Sequence, residues 1–283
     1  MIRTDLAMER REMHPQEIPG VRSHEITVGD ARIIRIEIET EEGAQALQKP
    51  AGQYITIELP ALNELGAFSE DVLVSIKNEI SRLLPREGLI LTCGLGNTQI
   101  TPDALGPKTA SYILATRHIA GDFAQTLGLS SLRPAAVIAP GVLGQTGIET
   151  GEILAGIVQK VGPAAVIVVD ALASRRIERL GKTVQISNTG IVPGAGVGNH
   201  RQEISEAVLG VPVISIGVPT VVDAATLASD LAGRDIVSQG EPMMVTPRDI
   251  DTLIEHAARL ISHSINCALH PDMPPEDLLT LAG

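Results

Sequence analysis

The chain has 283 residues, of which 44% are hydrophobic and 1% aromatic, so a sizeable core must be filled by Ile, Val, Leu and Ala. Its net charge of −12 repels a phosphate backbone and an anionic membrane surface, which disfavours direct nucleic-acid and membrane binding. No apolar run reaches the roughly 18 residues of a membrane span, and a charged start argues against a signal peptide, so we expect a cytoplasmic protein.

The N-terminal part of the sequence predicts strands with one solvent-exposed face. Residues 1–30 are polar and contain Pro15, Pro19 and Gly20, so we expect an irregular segment there. Alternating apolar and charged side chains predict half-buried strands over 32–40 and 53–60. Apolar spacings of three and four then predict an amphipathic helix, which we assign to residues 62–84.

From residue 88 onward, the patterns of strands and helices alternate. Short apolar runs predict buried strands over 88–96, 135–140, 164–173, 183–187 and 211–219. The segments between them predict helices over 106–127, 149–161, 174–181, 201–210 and 246–269, whereas 229–245 gives no clear signal. This order indicates an α/β fold, a mostly parallel sheet with helices on both faces, plus an N-terminal β extension.

Two aspartates follow predicted strands, where open α/β sheets place their active sites. Asp170 comes after the run AVIVV, and Asp103 lies in the loop after the strand over 88–96. If the two carboxyl groups meet, they share a proton, so the charged member can deprotonate water while the protonated member polarises a carbonyl. Taken singly, Asp103 also fits a helix cap, and Asp170 fits an ion pair with Arg175 or Arg176.

Glycine-rich loops flank these acids in the chain. Their backbone N–H groups can approach a substrate or a developing oxyanion, although the same residues also fit ordinary tight turns. The candidate substrate-binding or oxyanion residues are Gly94, Gly96, Asn97, Gly190, Gly194, Gly196 and Gly198.

Other chemistries find less support in the sequence. The loop PGAGVGN matches neither GxGxxG nor GxxxxGK[ST], and neither HExxH nor GxSxG occurs. A metal site made of the two aspartates and a histidine such as His200 stays open, as does a non-catalytic protein that binds a nucleotide or anion. Cys93 and Cys267 lie among apolar residues and are expected to be buried thiols.

Several segments, spread from one end of the chain to the other, resemble the germination protease family, whose members degrade small acid-soluble spore proteins. They are RTDLA (3–7), GQYITIE (52–58), GLGN (94–97), TPDALGP (101–107), PGVLGQTGIET (140–150), DALASR (170–175), QISNTGIVPGAGVGN (185–199) and HPDMPPED (270–277). The resemblance implies a zymogen that clips itself, a homotetramer in the spore core, and a fold similar to the hydrogenase maturation peptidases. It implies no cofactor.

The resemblance also assigns residues. The family's two proposed catalytic aspartates fall in TPDALGP and DALASR, which makes them Asp103 and Asp170 here. Family cleavage prefers an acidic residue at P1, a large apolar residue at P1′ and alanine at P2′, a pattern that residues 5–7 match. Self-cleavage is therefore expected between Asp5 and Leu6, with residues 1–5 as propeptide and 6–283 as one peptidase domain.

The sequence departs from the family pattern at Ile2, where P4 is usually acidic, and at Asn188, where the family has Asp. Metal-binding relatives use an additional histidine that has no clear counterpart here, which favours an aspartic mechanism without a metal. Because the cleavage motif is acidic, nearby arginines become candidates for binding its carboxylates, namely Arg175, Arg176, Arg179 and Arg201.

Overall fold

A computed structural model describes residues 4–14, 16–60, 62, 69–119, 126, 129, 132–198, 201–234, 236 and 243–282. Its strands are Val21–Val28 (β1), Ala31–Ile38 (β2), Gly52–Glu58 (β3), Ile90–Gly94 (β4), Ala135–Ile138 (β5), Ala165–Ser174 (β6), Thr183–Ser187 (β7), Val213–Asp223 (β8) and Met244–Val245 (β9). Its helices are Ala7–Glu12 (α1), Glu41–Leu47 (α2), Glu70–Leu83 (α3), Leu105–Ser111 (α4), Leu143–Thr146 (α5), Thr150–Val161 (α6), Glu206–Leu209 (α7), Ala224–Ala232 (α8), Ile250–Leu269 (α9) and Pro275–Ala282 (α10). Short 3-10 turns occur at Thr101–Asp103, Ile177–Arg179 and Ala195–Val197.

The strands form one mixed sheet in the order β1-β2-β3-β7-β8-β6-β4-β5, with β9 paired to β8. The neighbours β8, β6, β4 and β5 run parallel, as βαβ crossovers require. The other half, β1 to β3 and β7, pairs antiparallel throughout and joins β8 through β7. The predicted α/β fold with an N-terminal β extension is confirmed. The sheet is mixed rather than mostly parallel, because β1 and β7 extend the antiparallel half beyond the two strands expected there.

Helices cover both faces of this sheet. On one face, apolar residues of α3, α4 and α9 pack against strand residues from both halves, such as Ile57 and Ile214. On the other face, α6 packs against the parallel strands, and α1 and α2 pack against β2. Cys93 and Cys267 are buried thiols, as the sequence predicts.

The N-terminal segment is more ordered than its composition predicts. The expectation of an irregular stretch over 1–30 is wrong, because residues 7–12 form α1 and residues 21–28 form β1. β1 is an edge strand with mostly exposed side chains, so it lacks the apolar alternation that marks a half-buried strand. Helix α2, which was not predicted, begins where Thr40 Oγ1 accepts a hydrogen bond from the Gly43 N–H at 3.2 Å.

Several predicted helices are shorter in the structure. The helix expected over 106–127 ends at Ser111, and residues 120–125, 127 and 128 lie outside the described part of the chain. The one expected over 201–210 covers only 206–209, and the one over 174–181 is a strand end followed by a 3-10 turn. Helix α10 was not predicted. Within the described residues, no helix is both long and apolar enough to cross a membrane.

Candidate active site

The topological switch point of the parallel strands lies at the carboxyl end of β4. Its neighbour β5 follows on one side, and β6 lies on the other, so the two crossovers diverge and leave a crevice there. The ladder between β4 and β6 ends at Gly94 and Val169, which makes Asp170 the first residue of β6 beyond it. The sequence suggested that Asp170 ends its strand. Pairing between β6 and β8 continues to Ser174, however, so Asp170 lies within β6.

Asp103 lies in the turn that leads from β4 into α4. Gly106 allows this turn to approach the sheet, because a Cβ there would collide with the backbone of Leu95 and the carbonyl oxygen of Val169. The Asn97 N–H donates to Asp103 Oδ2 at 2.8 Å, which fixes the carboxylate against the preceding loop. The helix-cap interpretation of Asp103 is wrong, because the N-cap residue of α4 is Ala104 and α4 has no side-chain cap.

Asp103 and Asp170 line one cavity of about 490 Å³, together with Asp5 from the N-terminal segment. Burial raises the pKa of Asp170 well above its ordinary value, and the charges of Asp103 and Asp5 raise it further. Burial also raises the pKa of Asp103, against the opposing effect of the Asn97 hydrogen bond. Because the charges of Asp5 and Asp103 act on Asp170, these three groups resist joint ionisation and keep a proton more readily than an isolated aspartate does.

The N-terminal segment lies alongside β6, three residues beyond Asp170. The Asp5 N–H donates to the Ala173 carbonyl oxygen at 2.9 Å, and the Ala173 N–H donates to Asp5 Oδ2 at 2.8 Å. Gly196 is required here, because a Cβ at this position would overlap the Asp5 carboxylate and the Ala173 side chain. Burial raises the pKa of Asp5, and the charge of Lys49 is the largest influence that lowers it.

The carbonyl oxygen of Asp5 receives two hydrogen bonds. Lys49 Nζ donates to it at 2.8 Å, and Gln185 Nε2 donates at 3.0 Å. The other end of the same amide, Gln185 Oε1, accepts from the Ala7 N–H at 2.7 Å. Between these contacts, Leu6 is fully buried in the apolar cluster formed by α1, α2 and β2.

Thr4 and Glu9 tie this segment to the end of β6. The Leu6 N–H donates to Thr4 Oγ1 at 3.0 Å, and the Thr4 hydroxyl donates to Glu9 Oε2. The buried Glu9 carboxylate also accepts from the Arg175 N–H at 2.6 Å and from the Arg176 N–H at 3.0 Å. One carboxylate therefore connects α1 to the loop that follows β6.

The structure distributes the candidate loop residues over several places. Gly190 lines a smaller adjoining cavity of about 180 Å³, which Asp5 also lines, and Gly196 contacts Asp5. The described lining of the larger cavity includes neither Gly94 nor Gly198. It does include Gly96, Asn97 and Gly194.

The candidate arginines are placed differently from the expectation. Arg175 and Arg176 are absent from the described cavity lining, and their guanidinium groups lie 3.8 and 3.9 Å from acidic side chains other than Asp170. The ion-pair interpretation of Asp170 is therefore wrong. Arg179 is buried in an ion pair with Glu9 at 3.0 Å, while Arg201 lines the cavity.

Two further positions bear on the alternatives. Asn188, where the family resemblance leads us to expect Asp, accepts a hydrogen bond from the Gln53 N–H at 2.8 Å and thereby joins β3 to the end of β7. His200, the histidine of the alternative metal site, lies outside the described residues. Within those residues, no group of three or more His, Cys, Asp or Glu side chains is arranged to hold a metal ion.

The sequence did not point to Lys49 or Gln185. Gln185 had a weak signal, because it is a polar residue between Val184 and Ile186 in an otherwise buried strand. Lys49 had none, since a lysine after a short helix is usually solvated. The contact between Lys49 and the Asp5 carbonyl oxygen becomes visible only in the structure, where residues 5–7 dock beside β6 and β7.

A model of the germination protease family matches residues 2–237 of the chain. Curated relatives named germination protease are similar over nearly their whole length. The protein from Clostridium perfringens (strain 13 / Type A) is 43% identical over 318 aligned residues, which cover 98% of each chain. The protein from Geobacillus sp. (strain WCH70) is 36% identical, covering 98% of this chain and 95% of its own. That from Priestia megaterium is 34% identical with the same coverage.

Among solved structures, a [NiFe] hydrogenase maturation protease from Thermococcus kodakarensis KOD1 superposes with a TM-score of 0.39 and 18% sequence identity. The match covers 66% of this chain and 98% of the other.

Proposed function

Because this chain belongs to the germination protease family, it is a protease, and we propose that it is an aspartic-type endopeptidase made as a zymogen. It clips its own N-terminal segment and then starts the degradation of small acid-soluble spore proteins during germination. One observation supports this most strongly: Asp103 and Asp170, which are distant in sequence, line a single cavity with Asp5 of the expected cleavage site.

In the proposed mechanism the aspartate pair holds one proton. The ionised member removes a proton from a water molecule, whose oxygen attacks the carbonyl carbon of the P1 residue. The pair then delivers a proton to the leaving amide nitrogen as the C–N bond breaks. Each acid or base step of this kind contributes a rate factor of roughly 10²–10⁴.

The contacts of residues 5 and 6 support the expected specificity. The Ala173 N–H, next to Gly196, suits an acidic P1 side chain, because a charged acceptor forms a strong bond with a backbone donor. The apolar cluster around Leu6 suits a large apolar P1′ side chain. These contacts favour recognition of the P1 side chain by backbone groups rather than by Arg175 or Arg176.

Replacing either acid by its amide tests the mechanism. We expect Asp103→Asn and Asp170→Asn to lower both self-clipping and spore-protein cleavage by at least about 10²-fold, because the amide neither accepts nor releases the catalytic proton. Mass spectrometry of the N-terminus measures the first reaction, and electrophoresis of a small acid-soluble spore protein measures the second.

The exposed Asp251→Asn variant is the matched control and should cleave at the unaltered rate. Retained activity in either active-site variant would remove that residue from the mechanism. Activity that is lost on prolonged chelation and regained with added metal would replace the aspartic mechanism with a metal-dependent one.

The proposal extends to assembly and location, both implied by the family resemblance. We propose a homotetramer in the spore core, with residues 1–5 as propeptide and 6–283 as the peptidase domain.

A further inference from the structure

We infer that Lys49 and Gln185 form the oxyanion site of this protease. The role rests on the proposed function, because it takes the bond between Asp5 and Leu6 as the bond to be cut. It adds a cationic and an amide donor to a mechanism that otherwise uses only carboxyl groups.

The contacts that carry this role converge on one atom. Lys49 Nζ lies 2.8 Å and Gln185 Nε2 lies 3.0 Å from the carbonyl oxygen of Asp5, the oxygen that becomes negative when water adds to the carbonyl carbon. Both distances lie within the range of about 2.7–3.1 Å that is typical of oxyanion donors. The P1 carbonyl oxygen thus meets two donors, while the side-chain carboxylate of Asp5 accepts from the Ala173 N–H of β6.

Gln185 holds the substrate segment on both sides of the bond. Its Nε2 contacts the carbonyl before Leu6, and its Oε1 accepts from the Ala7 N–H at 2.7 Å, beyond Leu6. A planar amide that spans the P1′ residue in this way fixes the orientation of the scissile peptide. Positioning of this kind supplies part of the catalytic effect, because the reacting groups are already aligned before the transition state is reached.

The backbone ahead of Lys49 is built to hold it in place. Gln48 adopts a left-handed conformation with φ of 52° at the end of α2, an uncommon state for a residue other than glycine. The Lys49 N–H donates to the Ala44 carbonyl oxygen at 3.1 Å and closes the helix end. Burial lowers the pKa of Lys49, and the nearby Asp5 charge opposes that decrease and favours the ammonium form.

The chemical step balances without any further reagent. Water adds to the Asp5 carbonyl carbon while its proton passes to the ionised aspartate, and the negative charge that forms on the carbonyl oxygen is held by the two donors. The intermediate collapses when the pair gives a proton to the Leu6 nitrogen and the C–N bond breaks. The products are a carboxyl group on Asp5 and an amino group on Leu6.

The decisive variants are Lys49→Met and Lys49→Arg in the full chain. Self-clipping is intramolecular and has no association step, so its rate reports on positioning and chemistry. We expect K49M to clip about 10²–10³-fold more slowly, the usual effect of removing one oxyanion donor. We expect K49R to regain part of that loss, because a guanidinium also offers a charged N–H.

A peptide with the sequence of residues 3–10, RTDLAMER, separates chemistry from binding. We expect K49M to lower kcat by the same factor and to change KM by less than about threefold, because the donors act on charge that exists only in the transition state. Gln185→Glu is the second variant. It keeps an acceptor for the Ala7 N–H but turns the Nε2 donor into a carboxylate oxygen, so it should also lower kcat. This variant tests the inference even if K49M does not fold.

Lys160→Met, on the exposed face of α6, is the matched control and should leave both constants unchanged. A wild-type kcat in K49M or Q185E, or a raised KM alone, would overturn the inference and leave Lys49 as a binding contact. If the unaltered protein fails to cut the peptide between Asp and Leu, the proposed function itself falls. If the unaltered protein and K49M cut the peptide at the same rate and D170N does not cut it, only the oxyanion role falls.

Discussion

Asp170 lies on a buried strand and lines the same cavity as Asp103 and Asp5. Its pKa in the folded protein is raised by burial and by the charges of Asp103 and Asp5, whereas in the unfolded chain it returns to about 3.8. Below that unfolded value the protonated side chain contributes its full stability. As the pH rises through the folded pKa, this contribution is lost, because the folded state must then ionise a buried group.

The variant Asp170→Asn should therefore be more stable than the unaltered protein at pH 8, and the difference should shrink toward pH 4. Each unit by which the folded pKa is raised corresponds to about 1.4 kcal/mol of unfolding free energy. Urea unfolding at the two pH values measures the effect. Equal stabilities at pH 8 would show that Asp170 ionises without penalty.

For single residues, the sequence pointed to Asp103 and Asp170 but not to the two side chains that contact the Asp5 carbonyl oxygen. Asp103 and Asp170 stand out because each follows an apolar run in an alternating pattern, and the family motifs contain both. Lys49 and Gln185 act on a main-chain carbonyl, and a main-chain carbonyl has no sequence signature. The position of that carbonyl depends on how residues 4–9 dock onto β6 and β7.

Among the elements, α1 is attached to the end of β6 by one buried carboxylate. Glu9 is 1% exposed and accepts from two backbone N–H groups, while Arg179 pairs with it at 3.0 Å. Such a group is costly to remove because its partners stay buried without compensation.

We expect Glu9→Gln to lower the unfolding free energy by about 1–3 kcal/mol, because an amide has one acceptor oxygen for the donors from Thr4, Arg175 and Arg176 that the carboxylate now satisfies. Arg179 keeps its ion pairs with Glu12 at 2.5 Å and Glu58 at 3.6 Å. Chemical denaturation of the purified protein measures the loss of stability. The comparison is Glu39→Gln, which breaks the exposed pair with Arg22 and should cost about 0–1 kcal/mol. A similarly small effect at position 9 would mean that Glu9 does not hold α1 in place.

The elements also show which signals the sequence carries. β6 and β8 were predicted because both faces of a central parallel strand are apolar. β1 and α2 were missed because an edge strand and a short capped helix expose most of their side chains. The end of α4 was also missed, since the apolar pattern continues past Ser111 where the helix stops.

In the molecule as a whole, one apolar core joins the two halves of the sheet. Ile33 and Ile57 from the antiparallel half share it with Ile167 and Ile214 from the parallel half, under α3 and α9. Neither half has a separate core on this face. The halves are therefore expected to unfold together.

We expect Ile76→Ala, on the buried face of α3, to lower stability by about 2–5 kcal/mol in one cooperative transition. Proteolytic activity per folded molecule should not change, because α3 is not among the described residues that line the cavity. Val74→Ala on the exposed face of the same helix is the matched control. Two separate transitions, seen by calorimetry and circular dichroism, would contradict a shared core.

The threonine hydroxyl between the Leu6 N–H and Glu9 has a consequence for the clipped chain. Hydrolysis before Leu6 would remove Thr4 and turn the peptide nitrogen of a fully buried residue into a positively charged amine. Glu9, the acid that loses its hydroxyl partner, would gain a group of opposite charge to pair with in this amine. An ion pair between the two would attach the new N-terminus to the loop that follows β6, through an attraction that the intact precursor lacks.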